Sequence, residues 1–556
     1  MHTKKPDFVL GDFNIMEEAI DRVPPRQDNF EATEALREFR LTLEIQDQWR
    51  HKYPKSREYT YRAISNDRTI KSRLDRIYVA RNKTKFTFDW SMTPSSVQTD
   101  HWLVAVKFAP KNTPYIGKGR WTIPIKATKN RKIINKIVEM GMTLQAEMKE
   151  IENRTIACTP ETNHQTLWKS FKNASTKWAE QETKSAHHKR ATKIKRLQKD
   201  RMKLTDDPSF EMDQNMQWSE AIIASEIEYL ERKNSKEDRA TTNAKLILHG
   251  EKLGGLWTAM SKQKRPRDYL QKLQIPNKIP HKFESRSKGM ANLAKQYHED
   301  LQKNDLEPVE NERREQAIRN ALAAIPIGQK FPSPHNSELN RGVTEEVVSL
   351  ALRKAKNGSA TGLDGCPYEL WKALNKECQE AEKIGKQGFN IIATLTAVFK
   401  DIQEHGIEPG TDFTEGWMCL MYKKKERTKI ENYRPITLLN TNYKILTKAL
   451  TIQLTNPIKP MIHRDQAGFI PGRSIFNHIR LTKVMIQYAE VTKQNGTIIA
   501  LDQEQAYDRL THDYLWKTLE TFEVPTYFIN TIKALYKDAE TKVIINGVKS
   551  EPFKVM

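Results

Sequence analysis

The N-terminal stretch alternates short apolar runs with polar turns. "DFVLGDFN" (7–14) reads as a strand breaking into a polar turn, and "SRLDRIYVA" (72–80) and "HWLVAVKF" (101–108) read as further strands, apolar or alternating along their length. Between them, "EATEALREFRLTL" (31–43) has a helical period that places Ala35, Phe39 and Leu43 on one side. Residues 7–107 therefore predict an α/β unit. From about residue 110 to 335 the strand signals give way to charged helical sequence. A third pattern begins near Val343, where Thr344 is placed to cap a helix. That helix carries Glu345 and Glu346 in its first turn and Val348, Leu352 and Ala355 on one face, and Asn357-Gly358 ends it. A strand-like "GWMCLMYKKK" (416–425) follows, then helices over about 440–454 and 473–494. An apolar run, "TIIAL" (497–501), predicts a buried strand leading out to Asp502, and Asn546-Gly547 marks a hairpin. The fold class expected is multidomain α+β.

Composition narrows the partners. At 556 residues the chain suggests roughly three or four domains. A net charge of +22 and a pI near 9.5 point first to nucleic acid and second to an anionic membrane. The run "KSAHHKRATKIKRLQKDRMK" (184–203) holds nine Lys/Arg against one Asp. It is either a solvated helical face or a nucleic-acid contact, and it lacks the large apolar face that an interfacial membrane helix needs. Trp257, in the mixed basic stretch 251–273, is either a core side chain or a base-stacking platform. No run of about 18 apolar residues is present, and no signal peptide is visible. Cys158, Cys366, Cys378 and Cys419 form no CxxC pair, which excludes a zinc knuckle and favours a reducing intracellular compartment.

Two groups of residues carry candidate chemistry. In the first, Asp12 and Asn14 sit two apart at a strand end, Asp75 opens another strand, and Asp100 and His101 form a dyad before a third. Carboxylates that hold Mg²⁺, together with a carboxylate-oriented histidine, suit metal-assisted phosphodiester hydrolysis. In their order, "DFVLGDFN…SRLDRIYVA…QTDHWLVAV" resembles the C-terminal half of the endonuclease/exonuclease/phosphatase superfamily, in its apurinic-type endonuclease form from non-LTR retrotransposons. The resemblance implies a partial two-sheet α/β sandwich over residues 1–109. It assigns Asp12 and Asn14 to the catalytic centre, Asp75 as the partner of the histidine, Asp100 as a metal-site acid and His101 as the catalytic histidine. Thr99 stands where that family commonly has serine. The family's Asn and metal-binding Glu belong to its first half, so this stretch alone is expected to show no nuclease activity.

The second group surrounds Asp502. A polymerase needs rigid carboxylates to hold two Mg²⁺ ions, an aromatic beneath the incoming sugar, and basic groups for the triphosphate. "NGSATGLDGCPYELWK", "ENYRPITLLNTNYKILTKAL", "DQAGFIPGRSIFNHI", "ALDQEQAYDRLTHDYLWKTL" and "VIINGVKSEPF" together resemble the reverse transcriptase of non-LTR (LINE-like) retrotransposons. The resemblance implies the fingers and first part of the palm of a right-hand polymerase over 336–556, joined to the nuclease part by a basic helical linker over 110–335. Asp502 would be the first metal ligand and Tyr507 the sugar-discriminating aromatic. Lys423, Lys424, Lys425 and Arg434 would hold the nucleotide, and Gln466, Gly468, Phe469, Gly472 and Arg473 would line the template path. Asp508 is assigned a structural place, and Gln505 replaces the usual lysine. The family's Tyr/Phe-x-Asp-Asp block would fall beyond residue 556, so the polymerase rate of this stretch is expected to collapse.

The function expected is that of part of an RNA-directed DNA polymerase linked to a DNA endonuclease. Mg²⁺ or Mn²⁺ would be the cofactor, and an RNA template, a DNA target or primer and dNTPs the partners. No membrane association is expected, and the parent element would act in the nucleus. The alternative is a non-catalytic basic protein that binds nucleic acid.

Overall fold

The computed structural model describes the chain apart from residues 1–4, 66–67, 95–98, 111–112, 206, 208, 211, 250–268, 303–307, 332–337 and 504–509. Tyr507, Asp508, Gln505 and Trp257 lie outside the described residues. Two compact units are formed, one from Met1–Thr113 with Lys184–Arg267 and one from Pro114–Thr183 with Asp268–Met556. Residues 110–335, read from sequence as a linker, are shared between them.

In the first unit, antiparallel pairing builds three small sheets. Strands β1 (Phe8–Asp12), β2 (Arg22–Val23), β3 (Ile45–Asp47), β4 (Tyr61–Ser65), β5 (Arg68–Ser72), β6 (Asp75–Ala80), β7 (Thr87–Pro94) and β8 (Trp102–Phe108) pair in the orders β1-β6-β3, β2-β5-β4 and β7-β8. The helix Phe30–Leu43 is capped by the Asn29 side chain and ends at Glu44 in the left-handed conformation. It buries Leu36, whereas Ala35 is exposed and Phe39 is 42% exposed. Leu43 packs against this cluster as the periodicity suggests, but Leu36 rather than Ala35 or Phe39 is the buried position of the helix.

The apolar cluster here is small, built on Leu36, Ile45 and Tyr78. A buried ionic network accompanies it. Arg73 donates to Asp21 at 2.7 and 2.9 Å and to Asp47 at 2.6 Å, and Arg50 also bonds Asp21. Burial opposes the charge on Asp21, yet the hydrogen bonds and charge of Arg73, with Arg50 and Arg76, hold its carboxyl below the usual range. Arg201, in the basic run 184–203, is spent in the same way. It pairs with Glu220 at 2.7 Å and lies 3.5 Å from Glu58, while Lys189, Lys195, Lys199 and Lys203 stay exposed.

The second unit has a large helical core. Helices Arg131–Glu152, Glu345–Lys354, Tyr368–Lys383, Ile391–His405, Thr441–Ile458 and Thr526–Tyr536 contribute to one apolar cluster. The tilted ring pair Trp168 and Trp371, 5.3 Å between centroids, belongs to it. Thr344 caps its helix by accepting from the Val347 amide. Gly141 permits the close approach of its helix to the core, since a Cβ there would lie 2.4 Å from the Phe389 ring. Short strands β9 (Leu273–Gln274) and β10 (Phe283–Glu284) pair with each other. The main sheet joins β11 (Gly416–Tyr422), β12 (Tyr433–Leu438), β13 (Glu540–Ile545) and β14 (Val548–Lys549) in the order β12-β11-β13-β14, with β15 (Phe553–Lys554) also on β13. One sheet face buries Met418, Val543 and Ile545 against Met290, Ala291 and Ala294 of the helix Ser287–Gln302. The hairpin turn forms where expected, with Asn546 at φ 52° and Gly547 at φ 76°.

One expected element is absent. Residues 497–501 form no strand, and Ile498, Ile499 and Leu501 are exposed, Leu501 at 92%. Both edges of β11 are taken by β12 and β13, and no described strand offers a ladder to this run. The preceding helix, Ile475–Val491, likewise buries none of its residues.

Candidate functional site

Antiparallel register assembles the first site. Asp12 stands directly opposite Asp75 at the end of the β1–β6 ladder, and opposed residues share a sheet face. His101 arrives at the start of β8, with its Nδ1 2.8 Å from an Asp75 carboxylate oxygen. Burial disfavours the charged ring. The hydrogen bond and charge of Asp75, supplemented by Asp12 and Asp100, outweigh it and raise the pKa of His101 above the ordinary imidazole value. Asp12 and Asp100 are exposed. One oxygen of Asp12 accepts from the Asn14 amide at 3.0 Å, and Asn14 takes a left-handed φ of 54°, so the GDFN turn is an Asx turn. Thr99 supplies its hydroxyl to the His101 amide at 3.2 Å.

Two residues here were not singled out from the sequence. The Thr60 hydroxyl accepts from both the Leu74 and the Asp75 amides at 3.0 Å, and its carbonyl accepts from the Trp102 amide at 2.6 Å. Thr60 thereby fixes both ends of the Asp75–His101 pair. The ring of Tyr61 packs against His101, 5.1 Å between centroids. A lone threonine before a strand has no spacing that marks it, and only the fold reveals this role.

The second site is more open. Lys423, Lys424 and Lys425 occupy the turn between β11 and β12, where Lys425 has φ 70° and its carbonyl accepts from the Tyr422 hydroxyl at 2.5 Å. Arg434 is exposed on β12, opposite Met421. In the loop 462–473, Arg473 donates to the carbonyls of His463 at 2.5 Å, Gln466 at 2.9 Å and Ile462 at 3.1 Å. Its guanidinium is therefore the clasp of the loop. Gly468 has open space around it, and Gly472 takes φ 84°. Between them Phe469 is 93% exposed at φ 62°, a conformation uncommon for a non-glycine residue. Asp502 lies exposed in the unpaired run, and Tyr507 and Asp508 lie outside the described residues.

Residues 422–556 match the family model described as reverse transcriptase (RNA-dependent DNA polymerase). The chain is also 24% identical over 552 residues to the "Transposon TX1 uncharacterized 149 kDa protein" of Xenopus laevis, an alignment that covers 98% of this chain and 39% of that protein. The "Probable RNA-directed DNA polymerase from transposon BS" of Drosophila melanogaster is 29% identical over 126 residues, 22% of this chain and 14% of that one. The polyprotein of the type-2 retrotransposable element R2DM from the same organism is 23% identical over 125 residues, 22% of this chain and 11% of its own. The chain is thus similar to reverse transcriptases over 422–556, and along nearly its whole length to a transposon protein.

The chain spans 39% of the length of the TX1 relative. The family match takes in the lysine turn, Arg434, the 462–473 loop and Asp502. Reverse transcriptase domains act on a nucleic-acid template with dNTPs and generally use divalent metal ions. In the first unit Asp12 and Asp100 are the acids not engaged by the histidine bond. Among the described residues no three His, Cys, Asp or Glu side chains gather where they could hold an ion. No described helix is long and apolar enough to cross a membrane.

Proposed function

We propose that the second unit performs the nucleotide-selecting part of RNA-directed DNA synthesis, and that the first supplies an endonuclease-type phosphodiester site to the same element. The reverse transcriptase match over 422–556 carries this reading. Arg434 and the Lys423–Lys425 turn offer cations to a triphosphate, and a guanidinium suits its oxygens in a forked geometry. The solvent-facing ring of Phe469 gives a template base a stacking surface, worth about 1–3 kcal/mol per base. Asp502 would hold a divalent ion, Mg²⁺ or Mn²⁺, which when bound neutralises charge on the phosphates. Tyr507 would bound the sugar. In the first unit, Asp75 orients His101 and favours its protonated form, which places a cation beside developing negative charge on a phosphate. Asp12 and Asp100 would serve the metal-assisted attack of water. Such a pair of activities would nick DNA and extend the freed 3′-hydroxyl on an RNA template, in the nucleus for the parent element.

The test uses an RNA template with a dideoxy-terminated DNA primer, so that binding is read without chemistry. The next complementary dNTP is expected to tighten binding more than the other three do, and Arg434→Ala or Asp502→Ala should remove that increment. Equal effects of all four dNTPs would overturn the polymerase reading. A second reading, a non-catalytic basic nucleic-acid binder, draws on the +22 charge and the exposed, unpaired position of Asp502. It predicts dNTP-independent binding that weakens steeply with salt.

A further inference from the structure

The segment 114–123, in the stretch read from sequence as linker, is a strap bound along the second unit. The Tyr115 carbonyl accepts from the Ser287 hydroxyl at 2.7 Å, the Gly117 amide donates to the Asn546 carbonyl at 2.8 Å, and the Ile123 amide donates to the Gly365 carbonyl at 3.0 Å. Arg120 thereby lands on the loop 355–366. Its Nη2 donates to the Thr361 carbonyl at 2.5 Å and to the Thr361 hydroxyl at 3.0 Å, while its Nε is buried with no hydrogen-bond partner. Lys444 reaches the same loop from the helix Thr441–Ile458, donating to the Ala360 carbonyl at 2.8 Å.

Two cations therefore sit on consecutive carbonyls of one loop. Neither is within ion-pair distance of a carboxylate among the described residues, and each is half-buried. Asp364 is the nearby acid, but Lys172 neutralises it at 3.0 Å and the Cys366 amide donates to it at 3.1 Å. A third cation adds to the field: Arg120 and Lys549 lie over the Trp417 ring at 4.8 and 5.3 Å from its centroid. Burial and the charge of Arg120 lower the pKa of Lys444, and burial lowers that of Arg120, in each case outweighing the attraction of Asp364. Desolvated, like-charged groups are stabilised by an anion placed beside them. Ala360 and Lys549 are exposed, so the cluster is open to solvent.

We propose that Arg120 and Lys444, seated on the Thr361 and Ala360 carbonyls, form a phosphate-binding subsite that grips one phosphodiester of a nucleic-acid strand. The inference rests on the nucleic-acid reading above, and through Arg120 it adds a contact from outside the stretch matched to the reverse transcriptase family. The same chemistry would accept the phosphates of a free nucleotide, and the experiment separates the two.

Binding of a fluorescein-labelled single-stranded RNA to the whole chain is followed by anisotropy across a salt series, with inorganic tripolyphosphate as a second ligand. Arg120→Gln and Lys444→Gln are each expected to weaken RNA binding about tenfold at low salt. Each should also flatten the slope of log K against log salt by about 0.7, the contribution of one phosphate contact on a single strand. Arg120→Lys keeps the charge and should retain most of the slope, and Lys386→Gln, an exposed lysine outside the cluster, should not reproduce the effect. Loss of tripolyphosphate binding with RNA binding intact would assign the subsite to nucleotide phosphates. Unchanged slope and affinity for both ligands, in Gln variants that melt like the parent, would overturn the proposal. So would a Gln variant of lowered melting temperature whose slope is unchanged, because that outcome makes Arg120 a strap fastener only. The salt slope needs no dNTP discrimination, so failure of the polymerase reading would leave this result standing.

Discussion

Asp75 opens an apolar strand and Asp502 closes an apolar run, yet only one sits in a completed arrangement. Asp75 is held by the β1–β6 register, by the Thr60 hydroxyl and by a 2.8 Å bond to His101. Asp502 ends an exposed run with no ladder on either side. The difference is one of backbone satisfaction. Where both edges of a strand are paired, a side chain at its end inherits the rigidity of the sheet. An unpaired run gives its acid no such anchor, whatever its composition.

The largest expected effect sharpens this contrast within the second unit. Trp371 is fully buried and donates to the Thr441 hydroxyl at 2.7 Å, so Trp371→Ala should cost about 3–5 kcal/mol in urea unfolding. Leu501→Ala should stay within about 0.5 kcal/mol. Comparable losses at the two positions would mean that the 497–501 run is packed in solution, and the contrast would fail. Next comes Thr60→Val, which removes the acceptor for two amides and should cost about 1–3 kcal/mol. Hydrogen exchange at Leu74 and Asp75 should speed up accordingly, and unchanged exchange would show that Thr60 does not set the position of the acid. The smallest effect is electrostatic. Asp75→Asn should lower the pKa of His101 back toward about 6.5 or below, as read by NMR titration of its ring protons. Because the folded pKa of His101 is raised, its contribution to stability is fully present below about 6.5 and fades as pH rises through the folded value. The Asn variant should lack that dependence, and an unshifted titration would break the dyad.

Local signals were legible because they are local. The Thr344 cap, the Asn546-Gly547 turn and the strands bearing Asp12, Asp75 and His101 each follow from a few adjacent residues. The reverse transcriptase likeness was legible from motif order, and the match over 422–556 agrees with it. What escaped depends on partners far along the chain. Nothing in "SRLD" marks Arg73 as the centre of a buried network with Asp21 and Asp47, and nothing in "GKGRW" says that Arg120 meets Thr361. The apolar run 497–501 misled because hydrophobicity records a wish for cover, whereas a strand also needs a neighbour. Arg473, expected to line the template path, also gives three hydrogen bonds to carbonyls of its own loop, which its sequence neighbours do not announce.

The interleaving of the two units has a consequence for synthesis on the ribosome. The polypeptide passes from one unit to the other at 113/114, 183/184 and 267/268. Residues 114–183 are translated before the first unit is complete, but they belong to the second. Trp168 therefore emerges some two hundred residues ahead of Trp371, its ring partner. At about 5–20 residues per second that wait lasts on the order of ten seconds or more. During it the apolar side chains of helix Arg131–Glu152 have only residues of their own segment, such as Trp168, Phe171 and Ala179, to pack against, and most of their core is still to be made.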